Sequence, residues 1–143
     1  ELVAIHYELG TGTTINLKEA AHWFRSAAGQ ESLLAQFRLG TCYLNGNGVE
    51  KDPTTAAIWL RKAAIRGHAG AQIKLGECHE SGNGVPKDLI EAYAFYNVAS
   101  ITNQDGPRKR DELKSQLTKP QLESAQRRII SLQKEIEQAR WAK

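Results

Sequence analysis

The chain has 143 residues, of which 41% are hydrophobic, and a formal net charge of +3, which suits one compact domain or a short repeat array. No apolar run approaches the roughly 18 residues that a membrane-spanning helix needs, so we expect no membrane insertion. The chain opens at Glu1 without a secretion signal and contains no methionine, and we interpret it as a piece of a longer protein whose compartment stays open.

A six-residue segment occurs twice at a fixed distance along the chain. Residues 71–76 (AQIKLG) repeat residues 35–40 (AQFRLG) at an offset of 36 residues. An offset of this size is typical of a helical solenoid, because one two-helix unit cannot bury its apolar face alone. The spacing predicts three two-helix repeats at about 1–34, 35–70 and 71–106, the first truncated at its N-terminus.

The second helix of each repeat begins at an N-cap residue. Asn16, Asp52 and Asp88 occupy equivalent positions, and Pro53 follows Asp52 at the first helical position. In repeat two, this helix is predicted to end near Gly67. One face of this helix contains Ala56, Trp59, Leu60 and Ala63.

The first helix of repeat two is predicted over residues 33–45. Its core stripe recurs every four residues, at Ala35, Leu39 and Tyr43. Gly40 lies beside that stripe, where a missing side chain lets a neighbouring helix approach. Gly46 is predicted to end the helix in a left-handed conformation, and Gly48 gives the loop a second permissive position.

The residues after Gly106 no longer follow the repeat pattern. Pro107 is predicted to open a helix to about Leu117, and Thr118 with Gln121 to cap a long final helix. The apolar positions of that helix alternate by three and four: Leu122, Ala125, Ile129, Leu132, Ile136 and Ala139. We expect residues 107–143 to cap the last open face of the stack, with self-association through the final helix as the competing interpretation.

Charge is distributed unevenly along the chain. Residues 1–106 carry 9 Lys/Arg against 11 Asp/Glu, whereas residues 107–143 carry 10 against 5. A basic tail can indicate an anionic partner. Here the basic residues alternate with acidic and apolar residues at helical spacing, which favours a solvated helix face.

The residues from Ala35 to Gly67 fit the pattern A-x-x-x-L-G-x-x-Y-x-x-G-x-G-V-x-x-D-x-x-x-A-x-x-W-x-x-x-A-A-x-x-G. This pattern resembles the Sel-one-like repeat family, a relative of the tetratricopeptide repeat with a longer loop that contains glycine. The tail at 117–127 is similar to closing segments of bacterial members. Departures from the pattern are Thr13 and Asn16 in repeat one, and His79, Phe95 and Ser100 in repeat three.

The resemblance implies an all-α fold, a right-handed α/α superhelix with a C-terminal helical cap. It also implies a non-catalytic scaffold or adaptor that binds another protein or peptide, without a cofactor. Many bacterial members work in the envelope or outside the cell, so a cytoplasmic, periplasmic or secreted location remains open.

One column of side chains has residue types that bind metals or undergo redox chemistry. His6, Cys42 and Cys78 occupy the same position of successive repeats. Stacked helices lie roughly 9 to 10 Å apart, too far for a disulfide or for one shared zinc ion. We therefore expect both cysteines to be buried hydrophobic residues, and we predict no metal site, cofactor or catalytic residue.

In the tetratricopeptide frame, first-helix residues two positions before and after Leu39, and those one turn further out, face a concave groove. The predicted groove residues are Ile5 and Glu8 in repeat one, Leu34, Phe37, Thr41, Leu44 and Asn45 in repeat two, and Ile73, Glu77 and Glu80 in repeat three. They form an apolar strip with an acidic border. We expect the groove to bind an apolar segment that carries Lys or Arg, anchored near Phe37.

Two alternatives compete with this interpretation. The last helix, or a neighbouring repeat of the parent protein, could fill the groove. A helical-repeat protein could also bind nucleic acid through its basic C-terminal helices, but such binders need basic residues along the groove, whereas Glu8, Glu77 and Glu80 make the predicted groove acidic. We therefore expect a protein or peptide partner and no nucleic acid.

Overall fold

A computed structural model describes residues 16–142, and this part of the chain is all-α. Its seven helices are α1 (Leu17–Gly29), α2 (Leu33–Asn45), α3 (Pro53–Ile65), α4 (Ala69–Ser81), α5 (Leu89–Ala99), α6 (Asp105–Lys114) and α7 (Lys119–Trp141). The predicted all-α class and the predicted limits of α2 are confirmed.

The predicted N-caps of the second helices are confirmed. Side-chain oxygens of Asn16, Asp52 and Asp88 accept the backbone N–H three residues later at 3.1, 3.2 and 3.1 Å. Each cap satisfies an amide that the first helical turn leaves without a partner. The capping box of Thr118 and Gln121 at the start of α7 is also present.

Helix α6 begins earlier and ends earlier than predicted. It starts at Asp105, whose backbone N–H donates to the Asn103 side chain at 2.8 Å. Pro107 is therefore the third helical residue, where its missing N–H removes no intrahelical hydrogen bond. The sequence interpretation placed the start at the proline and overlooked the upstream asparagine.

Consecutive helices pack against each other from α1 to α6, and α7 turns back along the stack. Helix α7 packs against α5 and, less extensively, against α3, both of which are second helices of their repeats. Ala125, Ile129 and Leu132 are its buried residues. The Arg128 guanidinium also pairs with the Glu91 carboxylate on α5.

Glycines in the first helices accept large side chains from the second helices. A Cβ atom on Gly40 would lie 2.8 Å from Leu60 Cγ, and one on Gly76 would lie 2.6 Å from Tyr96 Cε1. Leu60 and Tyr96 occupy equivalent positions in repeats two and three, and both are fully buried. The predicted close helix approach at Gly40 is thus confirmed.

The tryptophan of the pattern packs against the core from its edge. Trp59 is only half-buried, and Trp23, its equivalent in α1, is 41% exposed. The adjacent Leu60 fills the space between helices instead, beside Gly40. The indole of Trp59 lies at the edge of the core, with Lys62 Nζ 4.5 Å from a ring centroid.

The second glycine of each loop contacts the preceding repeat. Gly48 and Gly84 have φ angles of 76° and 81°. A Cβ atom on Gly48 would lie 1.9 Å from the Leu17 carbonyl oxygen, and one on Gly84 would lie 2.2 Å from that of Pro53. Leu17 and Pro53 are the first residues of α1 and α3, so each loop lies on the start of the previous repeat's second helix.

We predict that Gly84→Ala destabilises the protein more than Gly82→Ala. Both glycines have positive φ angles, but a Cβ atom at Gly82 would be no closer than 3.4 Å to any neighbour, whereas Gly84 meets backbone. A left-handed conformation costs a residue with a Cβ atom about 1 to 2 kcal/mol, and this penalty applies to both variants. The backbone clash should add at least about 1 to 2 kcal/mol for Gly84→Ala. Urea unfolding followed by circular dichroism measures the difference, and equal losses would contradict the inter-repeat contact.

Candidate interaction surface

Eight of the ten predicted groove residues fall within the described part of the chain, and Ile5 and Glu8 lie outside it. On α2, Asn45 is exposed, while Leu34, Phe37, Thr41 and Leu44 are half-buried. On α4, Glu77 and Glu80 are half-buried, and Ile73 is 7% exposed. Ile73 belongs to the core, so it offers little surface to a partner.

Phe37 connects the two first helices. Its ring stacks on the His68 imidazole, with ring centroids 4.5 Å apart and the planes inclined by 26°. The Thr41 hydroxyl donates to the Phe37 carbonyl oxygen at 3.0 Å. Because His68 immediately precedes α4, the stacking holds the half-buried Phe37 ring against the start of the next repeat.

His68 is also the N-cap of α4. Its Nδ1 accepts the Ala71 backbone N–H at 3.0 Å, as the Ser32 hydroxyl accepts the Ala35 N–H at the equivalent start of α2. A protonated imidazole could not accept this bond. Burial, with a smaller contribution from the nearby Arg38 charge, lowers the pKa of His68 and thereby favours the neutral form that the cap requires.

Both acidic residues on α4 have partners within the chain. Glu77 pairs with Lys109 of α6 at 2.8 Å and with Lys74 at 3.8 Å. The Tyr96 hydroxyl donates to Glu80 Oε1 at 2.6 Å, and burial followed by this contact raises the pKa of Tyr96. Sequence reasoning missed Lys109 because α6 lies outside the repeat, so no equivalent position indicated its neighbour.

The two cysteines are buried, as predicted. Cys42 is 7% exposed and Cys78 is 2% exposed. Burial, followed by the negative charge of Glu77, raises the pKa of the Cys78 thiol, which disfavours a reactive thiolate. His6, the third member of the predicted column, lies outside the described residues. Within residues 16–142, no three His, Cys, Asp or Glu side chains are grouped to hold a metal ion.

A second surface, which the sequence did not suggest, lies between α3, the end of α1 and the end of α7. We call it the α3–α7 groove; its volume is about 740 Å³, and its lining includes Ile58, Trp59, Arg61, Lys62, Ile65 and Ala139. Ile58 is 54% exposed although it belongs to a helix that is otherwise packed on both sides. In the sequence, the available signal for this surface was an isoleucine, Ile58, outside the face of α3 that contains Ala56, Leu60 and Ala63.

Paired helices, glycine loops and consecutive packing define a protein of the α/α helical-repeat class. The Sel1 repeat model matches residues 2–32, 33–68 and 69–100, and the chain belongs to this family. The predicted family is therefore confirmed. A comparison with curated proteins gave no match. In residues 16–142, we find no helix with the length and apolar character needed to cross a membrane.

Two solved bacterial structures are similar to this chain. One is a protective antigen present in uropathogenic Escherichia coli strains, with an SLR fold, 38% identity and a TM-score of 0.86 over 97% of this chain and 30% of that one. The other is a Sel1 repeat protein from Oxalobacter formigenes, with 34% identity and a TM-score of 0.71 over 78% of this chain and 45% of that one. The chain thus spans less than half the length of either.

We predict that His68 makes stability depend on pH. Because folding lowers its pKa, the unfolded chain binds a proton more readily once the pH falls below the unfolded value of about 6.5. The stability that neutral His68 contributes is complete above that value and is lost as the pH falls toward the folded pKa. His68→Ser keeps a capping hydroxyl, as at Ser32, and removes the titration.

Urea unfolding at pH 7.5 and 5.5 tests this prediction. The loss of unfolding free energy between the two pH values should be smaller in His68→Ser than in the unmodified chain. His22→Ser, which replaces an exposed histidine in α1, controls for the removal of one imidazole. An unchanged pH dependence in His68→Ser would show that the cap does not require a neutral imidazole.

Proposed function

We propose that this chain is a non-catalytic scaffold module that binds an apolar segment of a partner protein through the first helices of its repeats. The observation that carries the proposal is the row of half-buried side chains Leu34, Phe37, Thr41 and Leu44 on α2. Sel1 repeats generally mediate interactions between proteins, which agrees with this role. We call this row, with Glu77 and Glu80 of α4, the first-helix face.

The position of α7 supports an accessible first-helix face. Helix α7 packs mainly against α3 and α5, which are second helices. This packing argues against the alternative in which the final helix fills the groove. Half-buried leucine and phenylalanine side chains still have apolar area to lose to a partner, and fully burying such a side chain contributes about 1.5 to 3 kcal/mol.

Because Glu77 already pairs with Lys109 within the chain, a positive charge on the partner would gain little from it. A cation on the partner would share Glu77 with Lys109, and Glu77 keeps 38% of its side chain exposed. Exposed ion pairs contribute only about 0 to 1 kcal/mol. Affinity would therefore come mainly from apolar contact near Phe37, and a Lys or Arg of the partner would serve chiefly to orient it.

We also propose that α6 and α7 cap the repeat stack, as predicted for residues 107–143, with the boundary to the predicted repeats 1–106 moved to the start of α6 at Asp105. Three buried side chains of α7 support this role. Arg128 reinforces it, because it pairs with Glu91 on α5 and, at 2.8 Å, with Glu135 on α7 itself. Ile130 is 56% exposed, so self-association through the outer side of α7 remains the competing role.

The charges of the C-terminal helices do not favour nucleic acid as the ligand. Several basic residues there have acidic partners within 4 Å: Arg108 with Asp105 and Glu112, Lys109 with Glu77, Arg110 with Asp111, and Arg128 with Glu91 and Glu135. Paired cations are less available to neutralise phosphates, which is the main source of affinity for nucleic acid.

We predict that Phe37→Ala and Thr41→Lys each weaken partner binding at least tenfold. Phe37→Ala removes the proposed apolar anchor, whereas Thr41→Lys places a charged chain in the middle of the strip without removing a buried apolar group. Quantitative affinity capture from a lysate of the source organism, with the intact chain as bait, measures the recovery of each partner.

Ile101→Ala is the matched control for this capture. Ile101 is 75% exposed in the turn after α5 and is not part of the first-helix face. It should retain every partner, and circular dichroism should show that all three variants are folded. If both variants on α2 retained the partners of the unmodified chain, the first-helix face would not be the binding site.

A further inference from the structure

The α3–α7 groove combines apolar and basic side chains on the side of the repeat stack formed by the second helices. Its apolar part consists of Ile58, Trp59 and Ile65 of α3, with Ala139 from α7. Trp141, 75% exposed, lies on the last turn of α7, next to Ala142 in the lining. Ile58 is exposed, Trp59 and Ile65 are half-buried, and apolar surface left open to solvent in one place usually indicates an interaction site.

Three cations line the same groove: Arg61 and Lys62 of α3, and Arg66, which directly follows α3. Lys62 lies over the Trp59 ring, with Nζ 4.5 Å from the centroid. The Arg66 guanidinium donates to the Glu31 carbonyl oxygen at 2.6 Å and to Gln36 at 3.2 Å, so these bonds hold its position without neutralising its charge. Arg61 is paired only loosely, with Glu135 at 3.8 Å and with its own side chain 48% exposed.

Acidic side chains are few at this site. In the described part of the chain, Glu31 is the single carboxylate residue of the lining, against Arg61, Lys62 and Arg66. The surface is therefore apolar in its middle and positive along α3. Such a surface attracts carboxylates and repels other cations, and the attraction is strongest where apolar contact excludes water.

We propose that the α3–α7 groove is a second binding site, for an acidic peptide segment with apolar side chains. An apolar anchor of the peptide would pack beside Ile58 and Trp59, and its carboxylates would face Arg61 and Lys62. The site is separate from the first-helix face, because none of the residues that line it belongs to that face. It would let one repeat stack hold two segments of different chemistry.

Selection from a random peptide library tests the proposal without a known partner. The intact 143-residue chain is the bait, and the bound peptides are then measured by fluorescence anisotropy against purified variants. We expect selected peptides rich in Asp or Glu together with Leu, Ile or Phe. Binding of these peptides should weaken at least tenfold in Ile58→Glu and in the double variant Arg61→Glu with Lys62→Glu, and should persist in Thr41→Lys.

Both groove variants, Ile58→Glu and the double variant of Arg61 and Lys62, are expected to fold, so a loss of peptide binding would report on the groove itself. Ile58, Arg61 and Lys62 are exposed, so their replacement should leave the core intact, and circular dichroism verifies this. Selected peptides that are basic, that bind both groove variants as well as the unmodified chain, or that fail to appear would overturn the proposal. So would preferential binding of a single-stranded RNA oligonucleotide to this groove, or self-association in sedimentation that the groove variants abolish.

Because the first-helix variant Thr41→Lys serves as the control, the experiment tests the two proposed binding sites independently of each other. Peptides lost in Thr41→Lys and retained in the α3 variants would assign binding to the first-helix face alone. That outcome would overturn the second site and support the proposed function. The reverse pattern would support the α3–α7 groove alone.

Discussion

The repeat stack depends on backbone contact between successive repeats, made possible by glycine. The loop after each first helix reaches back so closely that Gly48 and Gly84 leave no room for a Cβ atom beside Leu17 and Pro53. Both glycines also have positive φ angles, so two separate requirements select the same residue. Since the contacted residues begin α1 and α3, this contact fixes where each second helix starts relative to the next repeat.

Repetition made most of the fold predictable. A feature that recurs at the same offset, such as the N-caps Asn16, Asp52 and Asp88, provides its own check. The prediction of helix limits failed where that check was missing. Helix α6 has no counterpart in the repeats, so no equivalent residue indicated that it begins at Asp105. The repeat also did not indicate which of the adjacent Trp59 and Leu60 lies between the helices. The space beside Gly40 accepts Leu60, and the larger indole stays at the edge.

Individual contacts of the candidate surface were less predictable than its location on α2. The sequence places Phe37 and Glu77 on first helices, but it does not indicate that His68 covers one face of Phe37 or that Lys109 reaches Glu77. These contacts join residues far apart in sequence, and each depends on how adjacent helices pack. The net charge of the first-helix face therefore depends on how the helices of the stack pack, whereas its apolar character follows from the sequence of α2 alone.

The cap and the candidate surface share one residue, and this has a mechanical consequence. His68 holds the first turn of α4 through Nδ1 and supports the Phe37 ring with its face. Loss of the capping bond would free the imidazole to move, and the ring that stacks on it would lose support at the same time. The geometry of the first-helix face near Phe37 is thus coupled to the integrity of the α4 N-terminus. In repeat two, Ser32 caps α2 without a ring, so the same coupling is absent there.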